Sequence, residues 1–200
     1  MLKVAAGLFL FTKDPHKGLV AVLSKRGTFD YEKFRPEKYQ NLYEATAGGG
    51  INSGEHLIEG LLREIEEELG TATAKLIRHY AAKFQNVSYT EDQKAVYTYA
   101  VYIPHFPLKI LKPHRSSAGI LLVSAKDIVK LKPFPKNNDR RGPSQDDDTQ
   151  WMFPDQLEGL KKGFQIFGQS PLPNQHAKSK MSKPPKPALD KPVRIPVKTK

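Results

Sequence analysis

The sequence predicts an α/β domain followed by an extended basic tail. Three observations carry this reading. Short apolar runs rich in strand-forming residues recur through the first 125 positions, one strongly amphipathic helix interrupts them between Asn52 and Gly70, and the final thirty residues are dominated by Pro and Lys.

Residues 3–12 read as a buried first strand. Their apolar start behind Lys3 is too short for a secretory leader, lacks a cleavage site and runs into Lys13-Asp14-Pro15. Asp14 to Gly18 is a turn, and residues 19–25, with little polarity, form a second buried strand. Residues 26–43 form a charged loop that carries Phe29, Tyr31, Phe34 and Tyr39. Beyond the helix, His79–Phe84 and Lys94–Ile103 are expected to pair as a hairpin, the second run being rich in Val and Tyr. Gly119–Val123 is a further strand and Ser124-Ala-Lys-Asp-Ile starts like a short helix. A polar insert at Lys136–Asp148 leads to a final helix over Pro154–Phe164.

The helix carries the chemistry. At roughly 100° per residue, Leu57, Leu61 and Ile65, flanked by Ile58, Leu62 and Leu69, form one apolar stripe suited to a core. Asn52 is positioned to cap its start with Glu55 in the reciprocal place, the run Gly48-Gly49-Gly50 and Gly54 permit a tight approach turn, and Gly70 stops it. Glu64, Glu67 and Glu68 stand at i, i+3 and i+4 and crowd one face. Such like charges repel by roughly a few tenths of a kcal/mol per exposed pair, and by more where water is excluded. A hard cation removes that penalty, and Mg²⁺ or Mn²⁺ prefers oxygen ligands supplied by a few carboxylates and substrate phosphates.

Written as G-x5-E-x7-R-E-U-x-E-E-x-G-U, with U a bulky apolar residue, residues 49–71 supply Gly49, Glu55, Arg63, Glu64, Ile65, Glu67, Glu68 and Gly70, and lack only the last apolar position, Thr71. This segment resembles the signature of the Nudix hydrolases. The resemblance implies an α/β/α sandwich around a mixed sheet. It also implies hydrolysis of a nucleoside diphosphate linked to another moiety, by water attack at phosphorus with Mg²⁺ or Mn²⁺. By that pattern Glu64, Glu67 and Glu68 bind metal with the Gly48 carbonyl, Arg63 orients the carboxylates, and Glu55 supports the loop or binds a further metal. Arg63, Glu64, Glu67 and Glu68 are then the catalytic set. Glu67 is a candidate base, with Ser88–Asp92 and Asp146–Asp148 as alternatives. Ala47, where a proline is usual, and Thr71 depart from the family pattern without touching a ligand.

Composition limits the remaining choices. Two hundred residues with 38% apolar content suffice for one core, and no stretch approaches the roughly 20 apolar residues that cross a bilayer. Without cysteine the chain has neither disulfides nor thiolate chemistry, compatible with a cytoplasmic or nuclear location. Residues 171–200 hold seven prolines, eight Lys or Arg and one acid, so they carry +7 of the net +11. That composition predicts a disordered tail after a Nudix-type domain at 1–170.

The substrate is left as a nucleotide or dinucleoside polyphosphate. Tyr89 lies 18 residues after Thr71, a spacing associated within the family with dinucleoside polyphosphates, and Tyr89 and Trp151 are candidate substrate-binding residues. Phe29, Tyr31 and Phe34 are further aromatic candidates for stacking a base. The patterns associated with NADH, ADP-ribose and coenzyme A substrates are absent. Two alternatives stand: an RNA 5′-end decapping or RNA-associated enzyme using weak, salt-dependent binding by the tail, and a catalytically inactive nucleotide sensor.

Overall fold

Alternation along one strand sorts the core into two layers. In the central strand β1 (Lys3–Asp14), Ala6, Leu8 and Leu10 face one side of the sheet and Phe9 and Phe11 the other, and all five are buried. The structure is a computed structural model that describes residues 2–31, 33–135 and 149–168. Residues 171–200 and the Asp146–Asp148 cluster lie outside them.

After β1 the chain turns at Gly18 into β2 (Gly18–Arg26) and continues through a small hairpin of β3 (Phe29–Asp30) and β4 (Arg35–Pro36). It then forms β5 (Tyr43–Glu44) and β6 (Ala47–Gly50), followed by helices α1 (Leu57–Leu69) and α2 (Thr71–Arg78). The second half comprises β7 (Gln85–Glu91), β8 (Lys94–Tyr102), β9 (Ser117–Ser124), β10 (Leu131–Pro133), β11 (Gln150–Met152) and α3 (Pro154–Gly168). Among the described residues the main sheet is mixed: β1 runs parallel to β8 and antiparallel to β2 and β6.

One edge of β1 is shared between two partners. Residues Ala5–Leu8 pair with β6, and Leu10–Asp14 pair with β2. The buried Thr46 closes the junction: its hydroxyl accepts the Leu10 N–H and donates to the Val22 carbonyl, so the splayed strands leave no orphan there. The split places β6, and the glycines it carries, beside α1.

Helices cover both faces. Leu61, Leu62, Ile65 and Leu69 of α1, with Ala74 and Ile77 of α2, pack on the Ala6–Leu8–Leu10 side, whereas Leu157, Leu160 and Phe164 of α3 pack on the Phe9–Phe11 side. At about 1.5–3 kcal/mol for each large side chain fully buried, packing dominates the stability of α1 over its intrinsic propensity. This is the α/β/α sandwich that the sequence led us to expect. Among the described residues no helix is long and apolar enough to cross a membrane.

Several local expectations are corrected. Asn52 does not cap α1: the helix begins five residues later, after His56, and Glu55 instead accepts the Asn52 N–H at 2.9 Å in a separate turn where Gly54 takes a positive φ. Gly48-Gly49-Gly50 is extended and paired with Gly7-Ala6-Ala5, so it is a strand rather than a turn. Residues 79–84 form a turn and a short 3₁₀ segment, and the partner of β8 is Gln85–Glu91. The segment after β9 is likewise 3₁₀, at Asp127–Lys130, and the expected loop at 26–43 contains the β3–β4 hairpin.

Candidate functional site

The site forms where the outer face of α1 meets β6. Arg63 organises it. Its Nε donates to Glu55 at 3.0 Å, one terminal nitrogen to Glu64 at 2.8 Å and Glu67 at 3.1 Å, and the other to Glu55 at 3.1 Å and the Gly50 carbonyl at 2.8 Å. The planar guanidinium thus ties three carboxylates to the end of β6, a fork that a lysine could not reproduce. These bonds raise the Arg63 pKa and hold the Glu55 carboxyl below its usual range.

Glycine is needed at two positions for different reasons. A Cβ on Gly49 would lie 2.0 Å from a Glu64 carboxylate oxygen, so the bare backbone admits that side chain. A Cβ on Gly48 would lie 2.6 Å from the Ala6 carbonyl oxygen, within the β1–β6 ladder. The Gly48 N–H donates to Glu68 at 2.9 Å, which anchors the third carboxylate of the α1 face to the same strand.

Burial works against charge here. It pushes the Glu64 carboxyl up against the opposing pull of Arg63. It pushes Glu68 up to about 8, with repulsion from Glu44 and Glu64 adding to the effect and the Gly48 hydrogen bond opposing it. Glu44 at the end of β5 is also raised by burial, although Arg26 donates to it at 2.8 Å and to Glu37 at 2.8 Å. Sequence reasoning missed Arg26, Glu37 and Glu44, since neither periodicity nor spacing links them to α1. The pairing of Lys25 with Tyr43 and of Ser24 with Glu44 brings Arg26 and Glu44 to Glu68, and Glu37 joins them through Arg26.

Among the described residues no three Asp, Glu, His or Cys side chains are arranged as a metal-ion group. The donor set nonetheless fits a hard divalent cation. It is all oxygen, and Glu64, Glu67 and Glu68 are gathered on one helix face, where their like charges favour a bound cation.

Glu68 and Glu44 open into a cleft of about 1240 Å³ whose wall carries charge of both signs, Lys3, Lys25, Arg35 and Lys94 beside Asp30, Asp92 and Asp155, and is also lined by Tyr39 and Phe153, 5.2 Å apart. Tyr89 and Trp151 are not on that wall. Tyr89 packs on Tyr97 at 4.8 Å and its hydroxyl bonds Glu91, while its neighbour Thr90 lines the cleft. Trp151 sits edge-on to Phe134 at 6.4 Å. Of the Ser88–Asp92 segment, all but Asp92 belongs to β7 rather than to a turn.

Comparison with known proteins gives a consistent answer. The profile of the NUDIX domain family matches residues 1–170. An uncharacterized Nudix hydrolase of Yersinia pestis is 41% identical over 64 residues, 32% of this chain and 32% of that protein, so the matched region spans about a third of this relative. Three solved structures share the fold. A MutT/nudix family protein from Enterococcus faecalis gives a TM-score of 0.54 at 14% identity, covering 84% of this chain and 62% of that one. The NUDIX domain of Shewanella oneidensis NrtR, solved with ADP ribose, gives 0.52 at 12% identity over 84% and 89%. A mutT/nudix family protein from Listeria innocua gives 0.52 at 17% identity over 83% and 94%.

Proposed function

The protein belongs to the Nudix family, and from that premise we propose that it hydrolyses a phosphoanhydride bond in a nucleoside diphosphate linked to another moiety. A nucleotide or dinucleoside polyphosphate is the favoured substrate. The observation that carries the proposal is the Arg63 fork, which holds Glu55, Glu64 and Glu67 against β6 while Glu68 faces a large cleft.

Each residue type has a task in this reading. Glu64, Glu67 and Glu68, with Glu55 and the Gly48 carbonyl, would hold Mg²⁺ or Mn²⁺, which supplies charge neutralisation at the phosphoryl oxygens and a more acidic water. Arg63 keeps the carboxylates oriented before substrate arrives, so little reorganisation remains to be done during the reaction. Arg26 is held by Glu37 and Glu44 beside Glu68, and its guanidinium fixes the orientation of both carboxylates at the cleft. Lys3 and Lys94, neighbours across the β1–β8 pairing, also line the cleft and are suited to contact phosphates. Glu67, exposed at 56%, is the candidate base, because water reaches it without a desolvation cost.

A panel of nucleoside triphosphates, dinucleoside polyphosphates, nucleotide sugars, ADP-ribose and capped RNA, assayed with Mg²⁺ or Mn²⁺, tests the proposal. At least one should be cleaved at the anhydride, with turnover abolished by a chelator and lowered about 100-fold or more by Glu68→Gln. Turnover indifferent to both interventions would contradict it. An RNA 5′ end is the second reading, supported by the +7 charge of residues 171–200, and the capped RNA in the panel addresses it.

A further inference from the structure

One part of the cleft wall has no task in hydrolysis. It is the start of α3, where Phe153, Asp155 and Gln156 join Tyr39 among the lining residues. Phe153 precedes Pro154, a position biased away from the helical region, and its carbonyl accepts the Leu157 N–H at 2.9 Å to begin the helix. Its ring is wedged edge-on against Tyr39 at 5.2 Å and the buried Phe134 at 6.2 Å, so an aromatic surface stands at a fixed place on the wall.

Gln156 supplies a directed donor beside that surface. Its side-chain oxygen accepts the Ala45 N–H at 2.8 Å. Only an oxygen can accept that hydrogen, so the amide orientation is determined and its NH₂ is the edge left over. Among the described residues this NH₂ has no partner, and no buried side-chain nitrogen or oxygen goes without one, so the donor is accessible on a residue that lines the cleft. The neighbouring Asp155 carboxylate, an acceptor, makes no hydrogen bond or ion pair among the described residues either. Ala45 directly follows Glu44, so the Gln156 amide is bonded one residue along the chain from a carboxylate that repels Glu68. An aromatic wall with one oriented donor and one acceptor, next to the carboxylates of the hydrolytic centre, matches the flat faces and hydrogen-bonding edge of a nucleobase. The match does not depend on the net charge of the cleft.

We propose that the first turn of α3 reads the substrate's base. The base lies against Phe153 and Tyr39, the Gln156 amide donates to a ring nitrogen, and the Asp155 carboxylate accepts from the exocyclic amino group beside it. The favoured substrates then carry an amino-bearing base such as adenine. Hypoxanthine reverses the pattern, with a keto oxygen toward Asp155 and a ring N–H toward the Gln156 donor, and leaves polar groups opposed rather than paired. The assignment rests on the nucleotide-hydrolase reading above.

The test is calorimetry with Mg²⁺ and three nonhydrolysable probes, α,β-methylene-ADP, its inosine counterpart and methylenediphosphonate, on the full chain and on Gln156→Glu and Asp155→Asn. Wild type should bind the adenine probe about tenfold or more tighter than the hypoxanthine probe. Gln156→Glu keeps an oxygen for the Ala45 N–H and loses the donor, so it should melt with the wild type and bind the adenine probe about tenfold more weakly, with methylenediphosphonate affinity unchanged. Asp155→Asn, whose amide can donate to a keto oxygen, should lose the preference between the two bases. Equal wild-type affinity for both nucleotides would overturn the proposal, as would an equal loss of the adenine probe and methylenediphosphonate in Gln156→Glu. A Gln156→Glu protein that loses stability but not nucleotide affinity would overturn it too, leaving the amide only the task of holding Ala45. Hydrolysis measured in parallel separates the two claims. A wild-type protein that discriminates the bases through Asp155 and Gln156 but cleaves no nucleotide defeats the hydrolase reading alone. Cleavage of adenine and hypoxanthine nucleotides at equal kcat/KM defeats this one alone. Failure of the wild type to bind either nucleotide defeats both.

Discussion

At the scale of single residues, Gly48 and Gly49 stand side by side yet have separable roles. An alanine at 49 meets the mobile end of Glu64, which can swing away, whereas an alanine at 48 meets the backbone of Ala6 and Gly7. Gly49→Ala should therefore lower turnover sharply with an almost unchanged melting temperature. Gly48→Ala should destabilise the fold by about 1–3 kcal/mol, read as a shift in the urea midpoint. Glu68 provides a second prediction. Its carboxyl is pushed up to about 8 by burial from its ordinary value of 4.5, so between those values the folded chain retains a proton that the unfolded chain has lost. The stability associated with this group is full below pH 4.5 and is lost as pH rises toward 8. Without divalent metal, the melting temperature of the wild type should fall relative to that of Glu68→Gln as pH is raised across this window. A parallel pH dependence of the two proteins would contradict the assignment.

At the scale of elements, the apolar stripe of α1 is legible locally, whereas the start of that helix and the strands that need distant partners are not. The apolar stripe of α1 and its stop at Gly70 follow from periodicity and from one residue's conformational freedom. Gly70, at φ +87° and ψ 157°, occupies a region essentially restricted to glycine and joins α1 directly to α2. Gly70→Ala should cost about 1–3 kcal/mol from backbone strain alone, since its Cβ would meet only the Lys112 side chain at 3.4 Å. The start of α1 was misplaced because Asn52 and Glu55 satisfy each other in a turn of their own and leave His56 to begin the helix. The glycine run looked like a turn in isolation. It becomes a strand because β1 offers Ala5–Gly7 for pairing, a fact with no local signature. β5, β10 and β11 are two or three residues long and exist only through their neighbours, so no window of sequence could reveal them. For the same reason the carboxylates and Arg63 of the 49–71 signature are legible in the sequence, whereas Arg26 and Glu44, which converge on Glu68 through β2 and β5, are not.

At the scale of the whole molecule, charge is distributed unevenly. Residues 171–200 carry +7 of the +11, leaving a body near +4 whose cleft is lined by charges of both signs. Deleting 171–200 should leave the melting temperature and free-nucleotide turnover of the domain unchanged. It should also remove most of any salt-sensitive retention on RNA, measured by filter binding across a series of salt concentrations. The central claim is that Glu64, Glu67 and Glu68 together hold a divalent cation at β6. It is tested most directly by Mn²⁺ titration followed by electron paramagnetic resonance, with and without α,β-methylene-ADP. Wild-type protein should take up the ion, more tightly with the nucleotide present, and Glu68→Gln should weaken uptake by about tenfold or more. Mn²⁺ that stays free in the presence of the wild type and the analogue, or binds Glu68→Gln equally well, would contradict the account.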